Sequence, residues 1–548
     1  MKQMNEGPAP QKKDMLITFI VYAVLAGFML ALAWLSWSTP AFLFAGFVPL
    51  WIIASRLIGS GAKRSYGIMA LVSYIAFLTW NVVDTLWLKN STFAGFVAAA
   101  MANAAFVTVV MLASYFVVRR RGFVVGLVFW ACAWIAFEKL HTEWELSWPL
   151  LTLGNGFAKY AGLVQWYEYT GVFGGSLWVL SANILLFFVW KAYDERRAKA
   201  VLYRRAGIAA AIIVLPMLVS WGIGAHVNVQ GERVEAIALQ PNIDPYGEKF
   251  SEETSDMGMA RLMMEMCDTA LTPATRLVAA PETYLPQYKP VERAGNLPVF
   301  DTLRDFSRRH GGLTVVTGSS FVRYFPDKAS ATPTANKLRH GDVWYDVYNS
   351  AVQITPDTFE QYEKSKLVPG VERFPYRRFL EGILGDIMID MGGMTGSNVW
   401  QKEREVFVSD RGKMRLAPII CYESIYGEFV TDYVKKGANV LCIITNDGWW
   451  GYTEGHRQLL RTARLRAIET RLPIIRSANT GVSAFIAPDG TVISGLRYGR
   501  RGILKGELLL TEHAPTFYVR HGDYIARIAG VAMAALLLFS VVPFRRKK

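Results

Sequence analysis

The sequence predicts an α/β domain inserted between transmembrane helices, so we expect the chain to be a polytopic membrane protein. Of its 548 residues, 52% are hydrophobic and only 19% are charged, whereas soluble domains usually carry about 25% charged residues. Long apolar runs fill 1–225 and return in 521–548, while short apolar runs alternate with helical patterns in 226–520. Such alternation is typical of α/β architecture. The three ranges are the predicted domains: about seven membrane helices, the α/β domain, and a last helix with a basic tail.

Eight apolar runs are candidates for membrane spans, because about 20 apolar residues cross a bilayer as a helix. The second, fifth and sixth runs are short, so their ends are less sharply defined. No small-residue cleavage site follows the first run, and we therefore interpret it as an uncleaved span. The runs lie at 15–37, 41–57, 66–83, 93–118, 123–137, 174–189, 207–223 and 524–543.

The basic residues form short clusters between these runs, and the net charge is +14. Cytoplasmic loops of membrane proteins are enriched in Lys and Arg. If the N-terminus is inside, every cluster falls on the cytoplasmic side, both termini are inside, and the α/β domain is outside. The same distribution argues against nucleic acid as a partner. The clusters lie at 12–13, 63–64, 119–121, 196–205 and 545–548.

The loop at 138–156 is rich in Trp and Glu, and two interpretations of it stay open. It can be an interfacial aromatic belt, because Trp is enriched at membrane surfaces. It can also be a substrate vestibule at the outer leaflet. Glu138 would then lie at membrane depth, where an ionisable group is costly and usually functional.

Within 226–520, apolar runs predict strands and amphipathic stretches predict helices. The predicted strands are 234–240, 277–282, 313–318, 348–355, 406–408, 416–420, 439–445, 474–477 and 482–487. The predicted helices are 257–271, 302–310 and 458–470.

Three side chains of complementary chemistry, Glu282, Lys364 and Cys421, stand at or near the ends of short apolar runs. Open α/β sheets place their ligand crevices at the carboxyl ends of strands. A carboxylate can take the proton of a thiol, and an ammonium can stabilise the thiolate and a later oxyanion. Cys421 alone would more often be a small buried hydrophobe, so the glutamate and the lysine are what favour a nucleophile.

This set resembles the Glu-Lys-Cys triad of the nitrilase superfamily of carbon–nitrogen hydrolases. The resemblance runs from Glu235 to about Leu510 and includes Tyr348-Asn-Ser350, Thr445-Asn-Asp447, Trp449-Trp-Gly451 and Arg476-Ser-Ala-Asn-Thr-Gly481. It implies a four-layer αββα sandwich, with Glu282 as general base and then acid, Lys364 as oxyanion stabiliser and Cys421 as acyl carrier. It implies no cofactor. The seven His are scattered without ligand-type spacing, so we expect no metal site.

Neighbouring residues match supporting positions of the superfamily. The pattern Tyr-x-Lys-x-x-Leu-Val-Pro selects Lys364 rather than Lys366 as the catalytic lysine. Glu372 matches a glutamate that positions this lysine, although the preceding Val-Pro-Gly-Val departs from the common Val-Pro-Phe-Gly. Tyr422 is expected to offer its backbone N–H to the oxyanion, and Glu423 also matches. Either residue could also be a structural partner of the sheet.

The four cysteines are too few for a disulfide framework. Cys132 lies in an apolar span, and Cys421 must stay unpaired to act. A bridge between Cys267 and Cys442 is compatible with the sequence, which does not decide whether it forms.

The order of the whole chain, with seven spans, a nitrilase-like domain and one final span, points to a substrate in the membrane. It resembles the apolipoprotein N-acyltransferase family, with further matches at Gln240-Pro-Asn-Ile243 and at 516–523. The resemblance implies a monomeric ping-pong enzyme of the bacterial inner membrane, with its catalytic domain in the periplasm. Cys421 would take a fatty acyl chain from a phospholipid as a thioester. The N-terminal amine of a diacylglyceryl-cysteine on an apolipoprotein would then accept it, in the final step of lipoprotein maturation.

The loop after Gln240 carries Tyr246 and Phe250. Phe250 is the nearest match, displaced by one residue, to an aromatic residue that lies near the acyl chain in that family. With Trp449, these residues form the expected acyl-binding group, and a satellite hydrophobic cluster is the alternative. The sequence also allows two rival functions. A membrane-tethered nitrilase-type amidase would not need eight spans, and a non-enzymatic transporter or scaffold would not need a complete triad.

Overall fold

The computed structural model describes residues 12–249, 254–338, 341–377 and 397–542. The chain forms two compact units, each treated separately below. The first comprises the described residues within Met1–Lys139, Phe173–Met217 and Ile525–Lys548, and the second those within Leu140–Val172 and Leu218–Tyr524.

Helices occur in the apolar regions and between the strands of the α/β region. They are α1 Lys12–Ala31, α2 Val48–Gly59, α3 Ser65–Thr85, α4 Phe93–Glu143, α5 Tyr167–Asp194, α6 Lys199–Ala225, α7 Asp256–Asp268, α8 Pro298–Arg309, α9 Gly427–Lys435, α10 Glu454–Thr470, α11 Phe517–His521 and α12 Tyr524–Val541. Seven helical stretches in this part of the chain are long and apolar enough to cross a membrane, namely α1, α2 with the turn before it, α3, α4, α5, α6 and α12.

The helix α4 accounts for the difference between eight predicted spans and seven helices. It has 51 residues and is broken at Gly122, whose φ of 83° is readily adopted only by glycine. Val117 packs against Phe129 and Ala133, although in a straight helix Val117 and Phe129 would be about 18 Å apart. The two halves therefore fold back on each other. The fourth and fifth predicted spans are the two arms of this helix.

The first unit is held together by buried aromatic rings. Phe47 lies 5.0 Å from the ring of Trp130 and 4.7 Å from that of Trp134, both in edge-on contact. The side chain of Asn183 accepts a hydrogen bond from the Phe47 backbone N–H and donates one to the Leu43 carbonyl. This pairing satisfies the amide in an apolar interior, where an unmade hydrogen bond would be costly.

The second unit contains two sheets. The strands are β1 Gly231–Gln240, β2 Thr275–Ala279, β3 Leu285–Pro290, β4 Thr314–Phe325, β5 Asn336–Lys337, β6 Trp344–Ile354, β7 Phe359–Glu363, β8 Phe407–Ser409, β9 Met414–Ile420, β10 Val440–Thr445, β11 Ile474–Ala478, β12 Ser483–Ile486, β13 Val492–Leu496 and β14 Gly502–Thr511. One sheet has the order β14-β1-β2-β4-β6-β5, with β3 paired to β4 and β7 to β6. The other has the order β13-β12-β11-β10-β9-β8.

The two sheets stack face to face, because β1, β2 and β6 of the first contact β11, β12 and β9 of the second. The helices α7 and α8 pack on the first sheet, and α9 packs on the second with α10 beside it. The resulting order of layers is helix, sheet, sheet, helix. The expected αββα sandwich is confirmed, and the strands β1, β2 and β4 of one sheet and β9, β10 and β11 of the other run parallel.

Most of the predicted strands are present, but some strands of the second unit were not predicted. The missed strands β3, β5 and β7 are short or half-polar, β13 is largely exposed, and β14 is buried only near its end, so they lack a continuous buried apolar run. The helix α9 was missed as well. The four cysteines are all free, and therefore Cys267 and Cys442 do not form a disulfide.

The segment Leu140–Val172 belongs to the same compact unit as the sheets. Arg471, at the end of α10, fixes it through side-chain bonds to Glu168 at 2.6 Å and to Gln165 at 2.6 Å. Part of the loop that the sequence placed beside the membrane is therefore a structural component of the α/β unit.

A buried ion pair joins α7 to β3 and leads to a stability prediction. Lys289 Nζ lies 2.6 Å from Asp256 Oδ2, with side chains only 6% and 7% exposed. Lys289→Met would leave a buried carboxylate without its cation, a change that typically costs about 3–5 kcal/mol. We expect the thermal unfolding midpoint of the detergent-solubilised protein to fall by several degrees.

Lys413→Met is the matched control. Lys413 also pairs with a carboxylate, Glu232 at 2.8 Å, but both side chains are more than half exposed. Exposed pairs contribute little, so this variant should unfold close to the wild-type temperature. Equal midpoints for the two variants would contradict the interpretation of the buried pair.

Candidate active site

The strand ends bring Glu282, Lys364 and Cys421 together in the second unit. Cys421 is the residue after β9, Lys364 is the residue after β7, and Glu282 follows β2 by three residues. All three side chains are nearly inaccessible, with exposures of 6%, 1% and 5% for Cys421, Lys364 and Glu282. The sequence placed each of them at a strand end, and the structure has the same arrangement.

Lys364 lies between two carboxylates. Its Nζ is 2.9 Å from Glu282 Oε1 and 2.8 Å from Glu372 Oε1. The backbone N–H of Val368 donates to Glu372 Oε2 at 2.9 Å. The shape of the loop after Lys364 therefore brings Glu372 to the lysine despite the departure from the common sequence.

Two asparagines hold the Glu282 carboxylate in place. Asn349 Nδ2 donates to Glu282 Oε1 at 2.8 Å and to Glu372 Oε1 at 3.1 Å. The backbone N–H of Asn446 donates to the other oxygen, Glu282 Oε2, at 3.1 Å. Both asparagines come from motifs that carry the superfamily resemblance, but the sequence assigned neither of them a role.

The backbone is strained at two points of the site. Cys421 has a φ of 49° and Thr283, next to Glu282, has a φ of 47°. Non-glycine residues rarely adopt this conformation, and for a β-branched threonine it is unusual. Such strain persists only where the surrounding structure imposes it, and it is often found at active sites. At Cys421 it turns the chain sharply from the strand β9 into the turn Cys421–Ile425.

The charges in the site set the protonation of its members. Burial alone would raise the pKa of Glu282, but the charge and hydrogen bond of Lys364 outweigh burial and lower it. Burial alone would lower the pKa of Lys364, but Glu282 and Glu372 raise it well above its ordinary value. Burial first, and then the charge of Glu282, raise the pKa of the Cys421 thiol. The resting site therefore holds a thiol, an ionised glutamate and an ammonium.

Glu423 lies beneath the turn that carries Cys421. Its Oε2 accepts from the Ile420 N–H at 2.8 Å, and its Oε1 accepts from the Ser365 N–H at 2.6 Å and from Tyr362 OH at 2.7 Å. Burial raises the pKa of Glu423 to about 7, although these hydrogen bonds oppose the rise. This side chain connects the segment after Lys364 to the turn Cys421–Ile425.

The segment Leu140–Val172 contacts the same turn. Tyr422 OH donates to the Ser147 carbonyl at 2.9 Å, and the Ser147 hydroxyl lies 2.8 Å from Tyr426 OH. Lys366 Nζ donates to the Thr142 carbonyl at 3.1 Å and sits over the Tyr426 ring. Lys366 is thus used in a different contact from Lys364.

Two of the three residues expected to bind an acyl chain are in contact with each other. The rings of Tyr246 and Trp449 are 4.9 Å apart and perpendicular, and Tyr246 OH donates to the Trp449 carbonyl at 3.0 Å. Phe250 lies outside the described residues. Among the described residues, no group of three or more His, Cys, Asp or Glu could hold a metal ion.

Comparisons with known proteins cover nearly the whole chain. The family model described as Carbon-nitrogen hydrolase matches residues 238–516. A second model, described as Apolipoprotein N-acyltransferase N-terminal domain, matches residues 26–185. The chain is 27% identical to apolipoprotein N-acyltransferase from Chlorobaculum tepidum over 94% of this chain and 96% of that protein. It is 26% identical to the protein of the same name from Geobacter metallireducens over 94% of each.

Solved structures give a more distant similarity. An amidase from Nesterenkonia sp. is 15% identical, with a TM-score of 0.36, covering 56% of this chain and 98% of its own. A carbon–nitrogen hydrolase from Helicobacter pylori G27 is 16% identical, with a TM-score of 0.36, covering 51% of this chain and 90% of its own.

Gly318 allows the chain to approach Glu282 closely. A Cβ at this position would lie 2.2 Å from the Thr283 nitrogen and 2.6 Å from Glu282 Cα. Gly318→Ala must therefore displace the backbone of Glu282, and small displacements at a reacting centre cost up to about 100-fold in rate. We expect iodoacetamide to alkylate Cys421 at least about tenfold more slowly in this variant, as followed by intact mass.

Gly495→Ala provides the control, because this strand glycine in β13 would place its Cβ at an ordinary 3.5 Å from the Ser483 carbonyl oxygen. Its alkylation rate should equal that of the wild type. If Gly318→Ala also reacts at the wild-type rate, Gly318 does not position Glu282.

Proposed function

The chain belongs to the carbon–nitrogen hydrolase family, and from this we propose that it transfers a fatty acyl chain from a phospholipid to the N-terminal amine of diacylglyceryl-cysteine on apolipoproteins. The observation that carries the proposal is the near-complete match to proteins named apolipoprotein N-acyltransferase. A match over both the apolar region and the α/β region supports a lipid substrate. The reaction would be the final step of lipoprotein maturation.

In the first half-reaction, Cys421 Sγ attacks the carbonyl carbon of a phospholipid acyl ester while its proton passes to the Glu282 carboxylate. The Lys364 ammonium stabilises the oxyanion of the tetrahedral intermediate, and the Tyr422 backbone N–H is a second donor. The C–O bond then breaks, and Glu282 returns the proton to the oxygen of the leaving lysophospholipid. The acyl chain remains on Cys421 as a thioester.

In the second half-reaction, the amine of the diacylglyceryl-cysteine attacks the thioester carbonyl. Glu282 accepts a proton from the nitrogen, the C–S bond breaks, and the proton returns to the Cys421 sulfur. The sum of the two steps is an ester and an amine giving an alcohol and an amide. No cofactor takes part in it.

The residues around the triad have supporting roles in this proposal. Glu372 holds Lys364 in place, and Glu423 fixes the turn of Cys421 relative to the lysine. Tyr246 and Trp449 offer aromatic surface to the acyl chain, and Phe250 stays a prediction for the same role. Low exposure of Cys421 limits access of water to the thioester, which would otherwise be hydrolysed.

We also propose the membrane orientation expected from the basic clusters. The enzyme is monomeric in the bacterial inner membrane, with domains at 1–225, 226–520 and 521–548. The second of these lies on the periplasmic side, and both termini are cytoplasmic. This orientation places the catalytic residues on the side of the membrane where the outer leaflet can supply phospholipid.

The covalent step is tested by intact-mass analysis of the enzyme after incubation with phospholipid. We expect the mass to rise by one acyl group in the wild type and to stay constant in Cys421→Ala. Lys364→Ala and Glu282→Ala should each lower turnover by at least about 100-fold, because they remove the oxyanion stabiliser and the base. Cys267→Ser and Cys442→Ser are the controls and should keep their activity.

Other results would reject the proposal. Substantial transfer by Cys421→Ala would exclude the thioester. Release of ammonia from a small amide, without acylation by phospholipid, would favour the membrane-tethered amidase.

The orientation is tested with reporter fusions at Lys548 and near Gly231. Lys548 should report the cytoplasm and the Gly231 fusion the periplasm, because all basic clusters then lie on the cytoplasmic side. Two reporters on the same side of the membrane would contradict the orientation.

A further inference from the structure

Lys249 is a buried cation beside the triad to which the sequence assigned no role. Its side chain is only 2% exposed although it belongs to a polar loop. Lysine is almost never fully buried unless it is paired. We therefore expect neighbouring groups in the site to stabilise this buried ammonium.

The contacts of Lys249 form a closed ring around Glu282. Lys249 Nζ donates to the main-chain carbonyl of Glu282 at 2.8 Å. The side-chain amide of Asn446 satisfies its neighbours when its oxygen accepts from Lys249 Nζ at 3.1 Å and from Trp449 Nε1 at 3.3 Å. The Asn446 backbone N–H donates in turn to the Glu282 carboxylate at 3.1 Å. Glu282 is thus held at its main chain and at its carboxylate by one connected group.

The same lysine anchors a compact turn. Its backbone N–H donates to the Asp244 carbonyl at 3.0 Å, and the Gly247 N–H donates to Asp244 Oδ2 at 2.6 Å. Tyr246, within this turn, contacts Trp449. Lys249 therefore connects the aromatic pair expected to meet the acyl chain with the carboxylate expected to move the proton.

The charges around the triad give the lysine a second effect. Glu282 and Glu372 face Lys364, so these three groups together carry one excess negative charge that opposes formation of a thiolate at Cys421. Asp447, which also acts on Cys421, is paired with Arg476 at 2.8 Å. The ammonium of Lys249 would neutralise the excess. Burial lowers the pKa of Lys249 to about 7, although Glu282 and Cys421 oppose this.

We propose that Lys249 is a positioning residue that fixes Glu282 through its main-chain carbonyl and through Asn446, and whose ammonium stabilises the ionised forms of Glu282 and Cys421. This inference rests on the proposed roles of Glu282 and Cys421, and it does not depend on the identity of the acyl donor. It adds a second cation to the site. Lys249 contacts the main-chain carbonyl of Glu282, whereas Lys364 contacts the carboxylate.

The test is the pH dependence of Cys421 alkylation by iodoacetamide in the full-length protein, compared among Lys249→Met, Lys249→Arg and wild type. Loss of a nearby cation disfavours the negatively charged forms of Glu282 and Cys421. Because burial lowers the pKa of Lys249 to about 7, the wild type carries this cation mainly below pH 7. The alkylation rate of Lys249→Met should therefore fall furthest below the wild-type rate in that range, by about threefold or more. Lys249→Arg keeps a cation over the whole pH range, so it should not show the loss of rate below pH 7 that is specific to the neutral variant, even if its rate is uniformly lower. Lys413→Met, which removes an exposed cation of the same unit, should leave the profile unchanged.

Three features make the result decisive. If Lys249→Met fails to fold, Lys249→Gln takes its place as the neutral variant. A profile in the neutral variant that keeps its shape and position while only its thermal stability falls would overturn the proposal. Because iodoacetamide requires no lipid, the loss of rate below pH 7 without acylation by phospholipid would reject the proposed function and leave the role of Lys249 standing.

Discussion

The pairing of Lys364 with Glu282 and Glu372 is the interaction on which the rest of the site depends. Moving charged groups out of water costs several kcal/mol per ion, and close pairing offsets this only when further hydrogen bonds satisfy the remaining atoms. Asn349, the Asn446 N–H and the Val368 N–H supply those bonds. These groups come from the middle of β6, from the residue after β10 and from the loop after Lys364. The charged cluster is therefore stable only when the sheet that carries β2, β6 and β7 and the sheet that carries β10 are both in place.

The same pairing explains why the thiol of Cys421 is protonated in the resting site. A thiol in a dry site beside an ionised carboxylate holds its proton, because a second negative charge there would be poorly solvated. In the proposed mechanism, Cys421 therefore becomes nucleophilic only while its proton moves to Glu282. A protonated resting cysteine is also less open to oxidation and to unwanted alkylation than a thiolate would be.

The sequence predicted the parts of the site that follow from local pattern. Glu282, Lys364 and Cys421 could be predicted because each stands at or near the end of a short apolar run and because the set resembles the Glu-Lys-Cys triad of the nitrilase superfamily. Lys249 and Ser147 could not be assigned in this way, because their roles depend on segments that are distant in sequence. The two arms of α4 were predicted as separate spans. The length of an apolar run predicts that a segment can span the membrane, but it does not predict that two such segments belong to one broken helix. Strands with exposed faces, such as β14, were missed because burial on one side gives a weak apolar pattern.

The hydrogen bonds of Ser147 to Tyr422 and Tyr426 join residues that are 275 and 279 positions apart. A ribosome makes Ser147 long before it makes either tyrosine, so the turn that begins at Cys421 stays incomplete until most of the polypeptide has been synthesised. A water-soluble fragment that began after α6 would lack Ser147 altogether. It would contain all three triad residues, yet two buried tyrosine hydroxyls would have lost their partners. The shortest polypeptide that can form the whole site must therefore include Ser147, which precedes α6 in the chain, in addition to the two sheets.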